Sequence, residues 1–375
     1  METTGKKILV LGGTGAMGMH LVRILAGNGN HVSATSRSAH KSEGNITWLK
    51  GNAKDDVFLK IILKEQWDAI IDFMIYTTEE FHNRADLLLA KTSRYIFISS
   101  ARVYDDSEEA ITESSPRLLD TSNDREYLET DEYALAKARQ ENILQSSARK
   151  NWIIVRPSIT YSSSRLQLGA LEKENWLYRA MHGRSIVFSY DIAEKFTTMS
   201  AGNDVAEGIA ALTERNDING ETFHIVSGNS YQWKEILEVY LEAIEERTGK
   251  RPDVVMTDKS AVLKLKERRY QVIYGRYFSR KFDNSKISRF IDTEHFVDAK
   301  TGLRECLNEF LDNPEFRNIN WRLEAYLDRE AGERTPWKEI CMVENKFCYF
   351  SFRYGMGITY RIYRRFKNAI KKVIS

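Results

Sequence analysis

Short apolar runs alternate along the chain with longer segments in which apolar residues recur every three or four positions. Runs that are apolar throughout are typical of strands buried on both faces of a parallel sheet, whereas the longer spacing indicates amphipathic helices. Strands that alternate with helices predict an α/β fold, a doubly wound parallel sheet with right-handed crossovers. The first half thus contains strands at residues 8–11, 31–36, 46–50, 67–75, 94–99 and 152–157, and helices at residues 21–25, 56–64, 79–91 and 132–144.

The second half of the chain has fewer apolar runs and more helical spacing. Short strands are predicted at residues 186–189 and 220–226, and helices at residues 203–212 and 232–246. From there to about residue 337 the pattern is mainly helical and irregular. The polar, acidic residues 105–131 show neither period, so we expect a long loop there with room for a short helix.

A cluster of glycines follows the first strand directly and opens the first helix. Glycines in this context permit a tight turn, a close approach of backbone to a pyrophosphate, and close packing of helix on strand. Free N–H groups and the dipole at the helix start also favour phosphate. The cluster predicts a Rossmann-type dinucleotide site, against the alternative of a loop without a ligand. It comprises Gly12, Gly13, Thr14, Gly15, Ala16, Met17 and Gly18.

The end of the second strand bears on which dinucleotide binds. An acidic residue there would bond a ribose 2′-hydroxyl, whereas an arginine accommodates a 2′-phosphate. The chain has Ser36 and Arg37 at this point and no acid, which favours NADP and leaves NAD open; the alternative is that Arg37 is a solvated loop residue. Asn52, after the third strand, is placed to bond an adenine edge.

Three residues form a candidate catalytic set. Tyr133 and Lys137 are four residues apart on a predicted helix and therefore share one face, and Ser100 follows the fifth strand. A tyrosine has an unperturbed pKa of about 10, so a neighbouring ammonium is needed to favour its phenolate near neutral pH. Such a tyrosine exchanges a proton with a hydroxyl while hydride moves between the same carbon and a nicotinamide.

With these motifs in this order, residues 6–300 resemble the extended short-chain dehydrogenase/reductase superfamily, and within it the NAD(P)-dependent epimerase/dehydratase family that acts on nucleotide sugars. Further likeness lies at residues 98–104, 155–161, 204–206 and 282–287. The resemblance implies that Tyr133 is the catalytic acid/base, that Lys137 lowers its pKa and binds the nicotinamide ribose, and that Ser100 orients the substrate hydroxyl. It also implies that Pro157 lies beside the cofactor. A homodimer mediated by helices is common in the family, but the sequence leaves the oligomeric state open.

Two departures from the family pattern bear on the reaction and on how the substrate binds. Family dehydratases carry Asp-Glu where this chain has Ala101 and Arg102, which argues against water elimination and leaves an epimerase or a keto-sugar reductase. The arginine that grips the substrate pyrophosphate is also absent, and Lys195, Arg268 and Arg280 are its candidate substitutes. A non-catalytic NADP-binding regulator or RNA-binding protein of the atypical group is the alternative from another class.

Composition excludes several classes of protein. With 375 residues, 42% of them hydrophobic, the chain can bury a sizeable core. The net charge of +2 gives no bulk reason to expect nucleic-acid binding. The three cysteines form no Cys-x-x-Cys pair, so neither a disulfide framework nor a cysteine zinc site is expected. The lack of a signal peptide and of an apolar run near ~20 residues predicts a cytoplasmic protein.

The sequence predicts three segments. Residues 1–160 form the dinucleotide-binding domain, with later returns near 186–226, and residues 161–345 form most of a smaller, mainly helical substrate domain interleaved with the first. Residues 346–375 form a basic amphipathic tail, in which Ile358, Ile362, Phe366, Ile370 and Val373 recur every three or four positions among lysines and arginines. Such a helix binds anionic membrane surfaces, or else it docks on the domain or a partner subunit.

Overall fold

The computed structural model describes the backbone of residues 5–374; within the last helix it describes side chains as far as Arg364 and again at Lys367. The chain divides into two compact units. Unit 1 comprises Met1–Arg165, Phe196–Tyr231 and Phe278–Cys306, and unit 2 comprises Leu166–Lys195, Gln232–Tyr277 and Leu307–Ser375.

A parallel sheet of seven strands forms the centre of unit 1. Its spatial order is β7-β6-β5-β4-β1-β2-β3, and every neighbouring pair is parallel. This confirms the predicted doubly wound fold. The strands are β1 (Lys7–Leu11), β2 (His31–Ser36), β3 (Ile46–Lys50), β4 (Ala69–Asp72), β5 (Tyr95–Ile98), β6 (Trp152–Pro157) and β7 (Glu221–Ile225). Short strands outside this sheet are Ile159–Tyr161, Gln167–Leu168, Leu171–Glu172, Ile186–Ser189, Phe196–Thr197, Met199–Ala201, Tyr231–Gln232 and Val254–Thr257.

Eleven of the helices among the described residues have seven residues or more. In chain order they are α1 (Gly18–Gly27), α2 (Asp56–Ile62), α3 (Thr78–Ala90), α4 (Tyr133–Ser146), α5 (Lys173–Met181), α6 (Gly202–Glu214), α7 (Trp233–Thr248), α8 (Ala299–Asp312), α9 (Trp321–Ala331), α10 (Val343–Arg353) and α11 (Gly357–Ile374). The acidic loop contains two single-turn helices, Leu118–Thr121 and Arg125–Leu128, and a 3₁₀ turn covers Ala101–Val103.

The sheet separates two apolar layers, and β1 shows how the sequence produces them. Ile8 and Val10 point to the layer that packs on α1 and α6, while Leu9 and Leu11 point to the layer that packs on α2, α3 and α4. Side chains alternate between the faces of a strand, so a run that is apolar throughout must be covered on both sides.

The chain changes direction across the sheet at β1. From β1 it runs outward to β2 and β3, and it then returns to the other side for β4, β5 and β6. In open α/β sheets, ligands bind at the carboxyl ends of strands where the order reverses in this way. The loops after β1 and β4 are therefore the expected position of a cofactor site in unit 1.

Unit 2 differs from the predicted division of the chain. The strand Ile186–Ser189 pairs with Val254–Thr257 inside unit 2, so residues 186–195 do not return to the dinucleotide domain. The segment that does return, in addition to Phe196–Tyr231, is Phe278–Cys306. The apolar run at residues 186–189 indicates a buried strand but not its partner. In the structure its partner is Val254–Thr257 and not a strand of the central sheet. The substrate-binding role of residues 161–345 stays a prediction.

None of the helices among residues 5–374 combines the length and the apolar character that a membrane crossing requires.

Candidate active site

The loop between β1 and α1 has the form that a pyrophosphate requires. Gly12 has a φ of +81°, which favours glycine, and its N–H donates to Thr35 Oγ1 at 2.9 Å. A Cβ on Gly18 would lie 2.8 Å from the carbonyl carbon of Gly13, so a side chain would separate helix from strand. A Cβ on Gly15 would have no described atom within 4 Å. Gly15 is therefore the glycine that leaves space for a ligand.

The start of α1 is free of groups that would compete with a phosphate. Met17 occupies the N-cap position without a side-chain hydrogen bond, and the first turn contains no acidic residue. Unsatisfied N–H groups at a helix start bind anions. Thr14 and Gly15 are exposed beside this terminus, and Ala16 is partly exposed. The loop thus fits the dinucleotide predicted for it.

At the end of β2, hydrogen bonds hold the side chain of Ser36, whereas the side chain of Arg37 is exposed. Ser36 is buried, and its Oγ accepts from the Ser38 N–H at 3.1 Å and lies 3.1 Å from His40 Nε2. Arg37 is exposed, and no described carboxylate pairs with it. Its guanidinium is consequently available for a phosphate.

Ser100 and Tyr133 are brought together although 33 positions separate them in the sequence. Ser100 follows β5 and caps the 3₁₀ turn that begins at Ala101, and Tyr133 is the first residue of α4. The two side chains are close enough for the Ser100 hydroxyl to lower the pKa of Tyr133 as a hydrogen-bonding group. Burial nevertheless raises the pKa of Tyr133 above its ordinary value of 10.

Two arginines supply the positive charge at Tyr133. The charges of Arg102 and Arg165 both lower the pKa of Tyr133, and the Arg102 guanidinium lies 5.8 Å from the centre of its ring. Lys137, to which the resemblance gives that role, is not among the groups with the largest effects on this pKa. The position at which the sequence lacks a dehydratase acid therefore holds a cation of the site.

Glu132 holds Arg102 in place. The two side chains form an ion pair at 2.8 Å, and both are largely buried. Glu132 also caps α4, because its Oε2 accepts from the Ala134 N–H at 2.8 Å. The same carboxylate thus fixes the start of the helix that carries Tyr133 and the arginine beside it.

Lys137 is buried and points to the carboxyl ends of β4 and β5. Its Nζ donates to the carbonyl of Ile98 at 2.8 Å and to that of Met74 at 3.3 Å. Burial lowers the pKa of Lys137 to about 8, against the attraction of Asp72 and Glu141. An ammonium has three donors, and no third acceptor occurs among the described residues. That donor fits the ribose hydroxyl that the resemblance assigns to Lys137.

Met74 connects the lysine to the glycine loop. Its carbonyl accepts from Lys137, and its sulfur lies 3.1 Å from the position of a Cβ on Gly12. The predicted catalytic lysine and the predicted pyrophosphate loop are therefore adjacent within unit 1.

Two buried carboxylates support the site, and sequence reasoning assigned neither of them a role. Asp72, which ends β4, accepts from the Tyr95 hydroxyl at 2.8 Å, and burial raises its pKa. Glu141 lies one helical turn beyond Lys137 and accepts from Ser99 Oγ at 2.6 Å and from Arg156 at 2.7 and 2.8 Å. The sequence does contain a signal for both residues, because each is an acidic residue in an otherwise apolar strand or on an otherwise apolar helix face.

The remaining predicted residues lie at the edges of this arrangement. Asn52 is exposed, and its Oδ1 accepts from the Lys54 N–H at 3.1 Å. Pro157 is buried at the end of β6, paired with Ile225. Arg280, one of the three candidate substitutes for the pyrophosphate arginine, is buried and donates to the carbonyls of Tyr104 and Asp105 at 2.8 and 2.7 Å. Its guanidinium fixes the loop after Ser100.

The sequence profile of one family covers this whole arrangement. The profile described as NAD dependent epimerase/dehydratase family matches residues 8–225, which is more than half of the chain. The chain belongs to this family. The matched segment contains the glycine loop, Ser100, Tyr133 and Lys137, and a nicotinamide dinucleotide is the cofactor class of the family.

Curated relatives match part of the chain. The chloroplast stem-loop binding protein of 41 kDa b of Arabidopsis thaliana is 27% identical over 242 residues, which are 60% of this chain and 60% of that protein. The 2′-dehydrokanamycin reductase of Streptomyces kanamyceticus is 24% identical over 247 residues, which are 62% of this chain and 65% of that protein. The alignments span less than two thirds of either relative.

Solved structures share the fold over most of their length. The epimerase Mth375 of Methanothermobacter thermautotrophicus has a TM-score of 0.65 at 20% identity, covering 82% of this chain and 93% of its own. The UDP-glucuronic acid 4-epimerase of Bacillus cereus, solved with UDP-glucuronic acid and NAD, has a TM-score of 0.60 at 15% identity, covering 81% and 99%. At these identities the likeness is one of fold.

Proposed function

We propose that the chain is an NADP(H)-dependent reductase that converts a keto group on a nucleotide-linked sugar to a hydroxyl. The observation that carries the proposal is the pairing of Ser100 with Tyr133, whose pKa is raised by burial and which lies on the same helix as Lys137, itself beside the glycine loop. A raised pKa keeps the phenol protonated at neutral pH. A protonated phenol is the state from which a proton is given to a carbonyl oxygen during reduction.

Each residue of the set has a distinct task in this reaction. The glycine loop would hold the pyrophosphate of the dinucleotide and the third donor of Lys137 its nicotinamide ribose, and the bound nicotinamide would supply the hydride. Tyr133 donates its proton to the oxygen of the keto group, and Ser100 orients that oxygen through its hydroxyl. Arg102 and Arg165 limit the rise in the pKa of Tyr133, so that the proton can leave.

The choice of NADP over NAD is supported by Arg37. It is exposed at the end of β2, no described carboxylate neutralises it, and no acid follows this strand to bond a 2′-hydroxyl. The curated reductase relative supports the reaction class, and the epimerase solved with UDP-glucuronic acid supports a sugar carried on a nucleotide.

The nucleotide preference is tested with Arg37→Ala. A lost charged hydrogen bond costs about 1.5–3 kcal/mol, so we expect the Kd for NADPH to rise about 10- to 150-fold while the Kd for NADH is unchanged. Arg149→Ala removes another exposed arginine of unit 1 and is the control. Equal effects on the two nucleotides, or none, would contradict the proposed preference.

A nucleotide-sugar epimerase is the second candidate, favoured by the structural likeness to the UDP-glucuronic acid 4-epimerase. An epimerase regenerates its cofactor in every cycle and holds NAD tightly, whereas a reductase releases NADP after each turnover. Mass spectrometry of the nucleotide released from purified protein separates them. Bound NAD supports the epimerase, and nucleotide-free protein that binds NADPH supports the reductase.

A further inference from the structure

The last two helices of unit 2 form a structure that we call the C-terminal hairpin, α10 and α11 with the turn between them. Tyr360 of α11 is 8% exposed, and its ring centre lies 5.8 Å from that of Phe347 and 5.7 Å from that of Phe352 on α10. Lys367 forms an ion pair with Glu344 at the far end of α10. One side of α11 is therefore held against α10.

The opposite side of α11 is apolar and exposed. Ile358 and Ile362 each lie two residues from Tyr360, and two residues correspond to about 200° around a helix. They are consequently directed away from α10, and they are 69% and 50% exposed. The sequence continues this spacing with Phe366 and Ile370, whose side chains lie outside the described residues, as does that of Val373. Tyr354 and Met356, in the turn, are also exposed.

The same segment is strongly basic. Glu344 is the last acidic residue of the chain, and the eight charged residues after it are all cationic. With a total net charge of +2, residues 1–344 carry −6 and residues 345–375 carry +8. The eight residues are Lys346, Arg353, Arg361, Arg364, Arg365, Lys367, Lys371 and Lys372.

We propose that the C-terminal hairpin binds the surface of a membrane that contains anionic phospholipid. Ile358 and Ile362 enter the boundary between headgroups and acyl chains, and the arginines and lysines contact phosphate and serine headgroups. The helix lies in the plane of the surface, in keeping with a segment in which every third or fourth residue is charged.

Charge and side-chain type favour this occupant over two others. A second copy of the hairpin would bring two sets of cations together without an acidic residue after Glu344 to offset them. A nucleic acid would satisfy the cations, but Ile358 and Ile362 have neither hydrogen-bonding groups nor aromatic rings for its bases. An anionic lipid surface offers phosphate groups to the cations and an apolar environment to the isoleucines.

The test compares two double variants of the full chain by sedimentation with vesicles. Ile358→Glu with Ile362→Glu places two acids on the exposed side of α11. Val57→Glu with Ile61→Glu places two acids, also four residues apart, on the exposed side of α2. Val57 and Ile61 are 69% and 55% exposed, so the variants match in exposure, spacing and charge. The vesicles contain either phosphatidylcholine alone or phosphatidylcholine with phosphatidylserine.

We expect the unchanged protein and the α2 variant to sediment only with vesicles that contain phosphatidylserine, and the α11 variant to bind them at least about tenfold more weakly. Unchanged thermal unfolding of both variants shows that they are folded. The proposal is overturned if the unchanged protein stays in the supernatant or if the α11 variant binds as it does. It is also overturned if the α11 substitutions abolish a dimer that forms without lipid and leave sedimentation with vesicles unchanged. The same holds if they leave sedimentation with vesicles unchanged but abolish binding of RNA.

Discussion

At the scale of single residues, the proposed reaction depends on a tyrosine whose burial favours the protonated phenol and whose neighbouring positive charges favour loss of the proton. Two opposing effects act on the pKa of Tyr133. Burial raises it, and the Ser100 hydroxyl lowers it by a smaller amount. Of the two arginines that lower its pKa, Arg102 has the larger effect, and Glu132 keeps Arg102 in place. The balance between burial and Arg102 therefore sets the pH range in which Tyr133 can donate a proton.

Replacing Arg102 tests this balance. Arg102→Ala removes a charge that lowers the pKa of Tyr133, so the phenol keeps its proton to higher pH. In a reductase that uses the protonated phenol, the alkaline limb of the kcat/KM profile should move upward by up to about one pH unit. Arg102→Lys keeps a positive charge and should leave the limb near its original position. A limb that stays in place or moves downward in Arg102→Ala would show that Tyr133 does not set it.

At the scale of elements, the sequence predicted what depends on local pattern. The bounds of β2, β3 and β6 agree with the predicted strands because each is a short segment of strand-forming residues with polar residues or glycine before and after it. The alternation of strands and helices along the chain and the glycine loop followed from the same pattern. The contact of Arg102 with Glu132, 30 positions away, could not be predicted, because no local period links residues on different elements. Arg102 was consequently interpreted as a missing acid rather than as a cation of the site.

The glycine loop allows two glycines to be tested against each other. Gly18→Ala should lower the free energy of unfolding by about 1–3 kcal/mol, because its Cβ would meet the backbone of Gly13. Gly15→Ala should change it by less than about 0.5 kcal/mol, since its Cβ has open space, yet weaken nucleotide binding about tenfold or more. Urea unfolding and nucleotide titration measure the two effects. If Gly15→Ala bound nucleotide normally, the pyrophosphate would lie elsewhere.

At the scale of the whole molecule, the chain joins a family fold to a C-terminal segment of different character. The match to the epimerase/dehydratase family ends at residue 225, within unit 1. The amphipathic character of the tail was visible in the sequence, but which side of the helix stays exposed was not. Only the packing of Tyr360 on α10 shows that Ile358 and Ile362 are left uncovered.

The central claim is that Ser100, Tyr133 and Lys137 reduce a keto sugar with NADPH, and Tyr133→Phe tests it most directly. The measurement is the rate of NADPH oxidation with a panel of nucleotide-linked keto sugars, together with the Kd for NADPH. Because the phenol is the proton donor, kcat in the variant should fall about 10²- to 10⁴-fold while the Kd is unchanged. Full turnover by Tyr133→Phe, or no NADPH oxidation by the unchanged protein with any member of the panel, would contradict the account.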